Sequence, residues 1–146
     1  MEQENFRHKL TFRVLFHEVD LLGVVNNAVY FSYFETARLE YLKQIGFWKE
    51  IGEMAKEDKV FIMVHNDCDY MESALYDDEL TVLTRIKYIR NSSFGFEHLI
   101  VKNSSGNIIA RGHGAMTHIY FRDRKSIPLP QTFREAVTKF EGSLPE

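Results

Sequence analysis

A chain of 146 residues, 45% hydrophobic and 14% aromatic, can bury a core without disulfides or metal and suits one domain over residues 1–146. Its formal charge of −3 offers no attraction for nucleic acid, so no nucleic-acid partner is expected. The lone Cys68 fits a reducing compartment, and the charged start MEQENFRHK has no signal-like apolar run. Since no stretch approaches the roughly 18 apolar residues of a membrane helix, the expectation is a cytoplasmic protein with no membrane partner.

In chain order, residues 8 to 18 alternate. Leu10, Phe12, Val14 and Phe16 fall on one side, and Lys9, Thr11, Arg13 and His17 on the other, which predicts a half-buried strand. The period then changes. Tyr30, Phe34, Ala37, Tyr41 and Ile45 recur at helical spacing over residues 27 to 46, widened by Val29, Tyr33 and Leu42. Asn26 or Asn27 suits the N-cap of this helix, and Gly46 its stop. A weak helical pattern covers 47 to 57. Four strand-like runs follow, at about 59–72, 79–90, 93–103 and 107–121, separated by the turn signals Tyr76-Asp77-Asp78, Asn91-Ser92 and Ser104-Ser105-Gly106-Asn107. Such short connections predict antiparallel neighbours. After Pro128 and Pro130, residues 131 to 141 read as a last short helix with Phe133, Val137 and Phe140 as its stripe. The fold class expected is α+β, a single antiparallel sheet of about five strands curled around one long helix. Aromatics left on the sheet's other face and edges would favour self-association; the chain has twelve Phe and seven Tyr.

The chemistry narrows by exclusion. Neither the nucleophile elbow of an α/β-hydrolase nor a glycine-rich phosphate loop occurs. His65, Asp67 and Asp69 share a strand face but lack the second element a metal site needs, so no metal is expected. His113 and His118 fall on opposite faces of one strand and cannot form a local ligand pair. Asp20 admits two readings. It is a turn aspartate ending the first strand, or a carboxylate placed just before a helix N-terminus. In the second reading Gly23 permits a tight turn, and the first N–H groups of the helix, with the positive end of its dipole, hold a developing oxyanion.

The pattern Asp20-x-x-Gly23-Val24-Val25-x-Asn27-Ala28-x-Tyr30, followed by Phe34-Glu35-x-Ala37-Arg38, resembles the signature of hotdog-fold acyl-CoA thioesterases of the 4-hydroxybenzoyl-CoA thioesterase type. Asp69-Tyr70, Asp78-Glu79-Leu80, Ser92-Ser93-Phe94 and Arg124-Lys125…Pro128-Leu129-Pro130 match later landmarks in order, so the resemblance covers nearly the whole chain. It implies a helix wrapped by an antiparallel sheet, assembled as a homodimer or a tetramer of two dimers. It also implies hydrolysis of an acyl-CoA to a carboxylic acid and CoA, with no cofactor beyond the coenzyme A of the substrate. Asp20 would be nucleophile or general base, and the Asn27 backbone N–H would polarise the thioester carbonyl. Gly23, Val25 and Tyr30 would shape the substrate site. Arg90, Ser92, Ser93, Arg124 and Lys125 would bind the nucleotide and phosphates across the dimer interface, or else are solvated turn residues. Glu18 reads as a supporting acid. Many relatives carry a histidine in the loop where this chain has Val25 and Asn27, so the expected mechanism uses a carboxylate and backbone donors. Two alternatives remain open: an acyl-acyl carrier protein thioesterase, and a non-catalytic acyl-CoA-binding protein of the same fold.

Overall fold

The computed structural model describes residues 2–143. After a short 3-10 segment at Glu2–Asn5, the elements run β1 (His8–Arg13), α1 (Val29–Gln44), α2 (Trp48–Lys56), β2 (Lys59–Tyr70), β3 (Glu79–Ile89), β4 (Ser93–Lys102), β5 (Asn107–Tyr120) and α3 (Gln131–Glu141). The five strands form one sheet in the order β1-β3-β4-β5-β2, and every pairing is antiparallel. Its edges are therefore β1 and β2, the latter twelve residues long.

The helical stripe meets this sheet as its spacing predicts. Tyr30, Phe34, Ala37 and Tyr41 are buried, joined by Tyr33, Arg38 and Leu42. Phe34 decides how closely α1 lies on the strands. Its ring stacks on buried His98 of β4 at 4.7 Å and fills the space over Gly112 of β5, where a Cβ would come within 2.3 Å of the ring. Any side chain at Gly112 would push the helix off the sheet, an overpacking that costs about 1–3 kcal/mol. Burying Phe34 itself stabilises the fold by roughly 1.5–3 kcal/mol. At the far end of α1, Tyr41, Phe47, Phe94, Phe96 and the α3 residues Phe133 and Val137 make a second apolar cluster. Register shifts at Val64, Lys87 and near Ile109 mark bulges, which bend a sheet and increase its twist.

Three expectations need correction. The first strand stops at Arg13, and Phe16–Glu18 form a 3-10 turn instead, because the Glu18 carboxylate accepts the Leu15 N–H at 2.7 Å and ends the extended run. The N-cap position of α1 is Ala28, with no side-chain cap; Asn26 acts one turn earlier, its Oδ1 accepting the Ala28 N–H at 2.9 Å. The turn at Tyr76-Asp77-Asp78 does not make β2 and β3 neighbours, as short connections predicted: β2 pairs with β5 and β3 with β1 and β4, because residues 71–78 carry the chain from the β2 edge to a place beside β1. The weak helical pattern at 47–57 is borne out as α2, preceded by Gly46 at φ +81°. The sheet's outer face also differs from the aromatic surface expected. Phe6 from the N-terminal segment covers Leu83, Leu99 and Val101 there, and the neighbouring strip carries ions. Buried Glu97 pairs with Arg85 at 2.6 Å and lies 3.6 Å from His113. His113 in turn meets Asp67 at 3.3 Å.

Candidate active site

Residues 18–26 form a small hairpin against the start of α1. Val19 bridges Val25, the Asp20 N–H donates to Val24 O at 2.9 Å, and the Asn26 N–H donates to Glu18 O at 3.0 Å. Gly23 sits at the turn with φ +80°, a left-handed conformation that glycine adopts without penalty. The turn is pinned by Asp20 itself, whose Oδ1 accepts the Leu22 N–H at 2.8 Å. The turn reading of this aspartate is thus seen directly. One oxygen orders the turn, and the other has no partner among the described residues, on a side chain exposed to solvent.

The hairpin is tied to the body at the Tyr70 end of β2. Val25 is buried, and its N–H donates to Ala74 O at 2.8 Å. Tyr30 is buried, and its hydroxyl accepts the Ala74 N–H at 3.2 Å. These two expected substrate residues thus act as anchors of the loop. Asn27 is exposed just ahead of α1. Its carbonyl accepts the Tyr70 hydroxyl at 2.8 Å, and its N–H has no acceptor among the described residues. The peptide that carries this N–H is held from its carbonyl side by the Val29 N–H, which donates to Asn26 O at 2.9 Å, while Tyr70 holds the following peptide. A free donor so placed at the positive end of a 16-residue helix is suited to stabilise an oxyanion. Glu18 supports the hairpin: its carboxylate also accepts the Tyr33 hydroxyl at 3.1 Å, and burial together with this acid pushes the tyrosine well above the usual phenol range. Burial likewise pushes the nearby Cys68 thiol up to about 11, so it is protonated at neutral pH and is a poor nucleophile. Sequence reasoning did not assign the Tyr70 hydroxyl its grip on the Asn27 peptide; its place in the landmark pair Asp69-Tyr70 was the available signal.

The expected phosphate-binding residues lie at the other end of the strands. The Arg90 N–H donates to Ser93 O at 2.8 Å, the His118 N–H to Ser92 O at 2.8 Å and the Tyr120 N–H to Lys125 O at 2.9 Å, which gathers the 90–93 and 121–125 turns. Tyr120 pairs with Lys59 at the start of β2. Arg90 lies over the Tyr88 ring at 4.4 Å and Arg124 over Phe121 at 5.0 Å. No ion pair engages Arg90, Arg124 or Lys125 among the described residues. From Lys59 to Tyr70, at about 3.3 Å per residue, is roughly 36 Å. One chain therefore does not bring Arg90, Ser92, Ser93, Arg124 and Lys125 to Asp20 and Asn27. On the outer face His65 bonds Asp67 at 2.7 Å, and no group of three or more His, Cys, Asp or Glu suited to a metal ion occurs among the described residues. Among the described residues no helix is long and apolar enough to cross a membrane.

Comparison with known proteins agrees with this fold. A family model described as the thioesterase-like superfamily matches residues 14–137. A thioesterase of Thermus thermophilus, solved with coenzyme A and zinc, superposes with a TM-score of 0.79 at 34% identity, covering 95% of this chain and 97% of that one. An acyl-CoA thioesterase of Haemophilus influenzae is 30% identical over 92 residues, 63% of this chain and 67% of the relative. A chloroplastic acyl-acyl carrier protein thioesterase of Arabidopsis thaliana is 27% identical over 135 residues, 91% of this chain and 68% of the relative. With its sheet wrapped around α1 and this match over most of its length, the chain belongs to the thioesterase-like superfamily of hotdog fold and is a thioester hydrolase.

Proposed function

We propose that the protein hydrolyses acyl-CoA to a carboxylic acid and CoA, at a site shared by two copies of the chain. The observation that carries this reading is the unoccupied Asn27 N–H beside the Asp20 turn. A thioester carbonyl set between them receives the donor and the helix dipole on its oxygen, while the free carboxylate oxygen faces its carbon. As general base, Asp20 takes a proton from water as the water attacks, and the CoA thiolate leaves when the tetrahedral intermediate collapses. As nucleophile, it forms a mixed anhydride that water then opens. Single turnover in H2-18O tests the nucleophilic route: water that opens the anhydride at the Asp20 carbonyl leaves label in Asp20, which general-base hydrolysis never does.

A two-chain site is supported by the separation of the two residue groups. Antiparallel pairing of the β2 edge with the same edge of a second copy would set the Tyr70 end of one chain against the Lys59 end of the other. Asp20 and Asn27 would then face the partner's cationic turns. The same pairing would satisfy an edge that otherwise presents open backbone groups. On this reading the smallest active unit is a homodimer, the only coenzyme involved is that of the substrate, and the unpaired cysteine suits a cytoplasmic setting. Light scattering that found an active monomer would remove the shared site.

Thiol release over a series of acyl-CoAs tests the activity. The Arabidopsis relative supports a second reading, hydrolysis of acyl groups carried on acyl carrier protein; kcat/KM for matched acyl-CoA and acyl-carrier substrates decides between them. Tight acyl-CoA binding without thiol release would instead identify a non-catalytic binder.

A further inference from the structure

The inner face of β1 is closed at one end and half open at the other. His8 is buried and meets Tyr41 ring to ring at 5.7 Å. Further along the same face Leu10 and Phe12 are only partly buried, and beyond the strand Leu15 stands 53% exposed. Between these residues and α1 runs a groove of about 410 Å³, with Tyr33 and Thr36 as its helix wall. Phe12 and Tyr33 lie against each other at 4.6 Å. Few polar side chains line the groove, and Glu18 makes its contacts through one carboxylate oxygen. The Glu18 carboxylate holds the Leu15 N–H and the Tyr33 hydroxyl, and Arg13 at the rim lies 3.8 Å from Glu79. What the groove offers a ligand is almost entirely carbon.

Its position ties it to the reacting centre. Glu18 lies two residues before Asp20, and its carbonyl accepts the N–H of Asn26, the residue before Asn27. Glu18 thus joins the groove to the hairpin that carries Asp20 and leads to Asn27, and from there the groove runs along α1 from Tyr33 towards Thr36.

We infer that the β1–α1 groove receives the acyl chain and selects aliphatic groups by length; this rests on the acyl-CoA reading above. The Tyr33 hydroxyl has its only proton committed to Glu18, so it offers no donor to the oxygen of a hydroxylated aryl group, the kind of contact by which a site selects such a group. Its half-exposed side chains gain most from an alkyl chain laid over them. A second apolar cavity, at the other end of α1 between Leu39, Trp48, Ile51 and Phe61, has about 230 Å³ and lies away from the hairpin. It serves as the control.

The experiment measures kcat/KM for saturated acyl-CoAs of increasing length, together with calorimetric binding of CoA and of its dodecyl thioether, which cannot be hydrolysed. In the wild type kcat/KM rises by roughly fourfold per methylene until the groove is filled, the factor expected for burying one CH2. Thr36→Trp, on the exposed flank of the helix, flattens this series and removes the advantage of the thioether over CoA. Leu39→Trp leaves both as in the wild type. Thermal midpoints verify that each variant is folded. A length series untouched by Thr36→Trp, or one altered by Leu39→Trp instead, overturns the inference. Turnover with no dependence on chain length also overturns it and leaves the acyl-CoA reading standing. Thioether binding that is lost in Thr36→Trp, in a protein that hydrolyses no acyl-CoA, keeps the groove and removes the hydrolase reading.

Discussion

The two ends of β2 carry the two halves of the candidate site, and they are built in different ways. At the Tyr70 end, position is fixed by hydrogen bonds to backbone: the Asp20 carboxylate on Leu22, the Tyr70 hydroxyl on the Asn27 carbonyl, the Val25 N–H on Ala74. At the Lys59 end, charge stands on exposed turns. Arg90 and Arg124 rest on aromatic rings, and Lys125 follows a residue at φ +64°. The contrast matches the two tasks. Transition-state stabilisation requires donors and carboxylate held to within a fraction of an ångström, whereas phosphate attraction falls off slowly with distance and tolerates mobile side chains. The first end should therefore govern kcat and the second KM.

The largest effect that could break this contrast comes from Asp20→Asn. The amide can still accept the Leu22 N–H, so the turn persists, but it cannot serve as base or anionic nucleophile. We expect kcat to fall by at least about 100-fold with a thermal midpoint near that of the wild type. Normal turnover in the folded variant would return Asp20 to a purely structural role.

Replacing Arg90, Arg124 and Lys125 together by Ala should raise KM about tenfold, the sum expected for a few exposed ionic contacts, with kcat nearly kept. The salt dependence of KM should flatten as well. A KM that is insensitive to salt in the wild type already excludes these residues from the coenzyme site. Mixing this variant with Asp20→Asn chains sharpens the test. If each site takes Asp20 from one chain and cations from the other, hybrid dimers regain a site with both halves intact, and activity at substrate well below the wild-type KM rises above that of either parent. No recovery after verified subunit exchange would mean that one chain supplies the whole site.

Smaller effects probe the support of the oxyanion donor. Tyr70→Phe removes one hydrogen bond to the Asn27 carbonyl and should lower kcat about two- to tenfold, the range of a single neutral hydrogen bond, with KM little changed. An effect confined to KM would place Tyr70 in binding instead. The smallest effect is expected from Cys68→Ala. A thiol pushed up to about 11 by burial is a poor nucleophile at neutral pH, so activity should stay within about twofold of wild type; loss of turnover in a folded variant would contradict this assignment.

The long helix and the last four strands were legible in the sequence because each has one strong period. The apolar stripe of α1 repeats at helical spacing, and the strand runs are bounded by turn residues. The end of β1 was not legible. Val14 and Phe16 continue the alternation, but the Glu18 carboxylate captures the Leu15 N–H and bends the chain, a local contact that periodicity does not register. Asp20, Gly23 and Asn27 could be named together as a candidate site because they lie close in the chain, in the hairpin and just after it.

By itself, the sequence determined which residues carry charge, which stripe must be buried and where the chain turns, since these follow from residue type and nearest neighbours. Short connections also made β3, β4 and β5 adjacent. Only the tertiary structure decided that β1 pairs with β3 and β2 with β5, because those ladders join segments far apart in the chain and depend on how the sheet closes around α1. That closure made β2 an edge, moved the outer face from aromatics to the Glu97 ion cluster, and set Asp20 and Lys125 at opposite ends of the same strands. No local pattern encodes which end of a strand a loop will occupy; the direction of each strand in the finished sheet does.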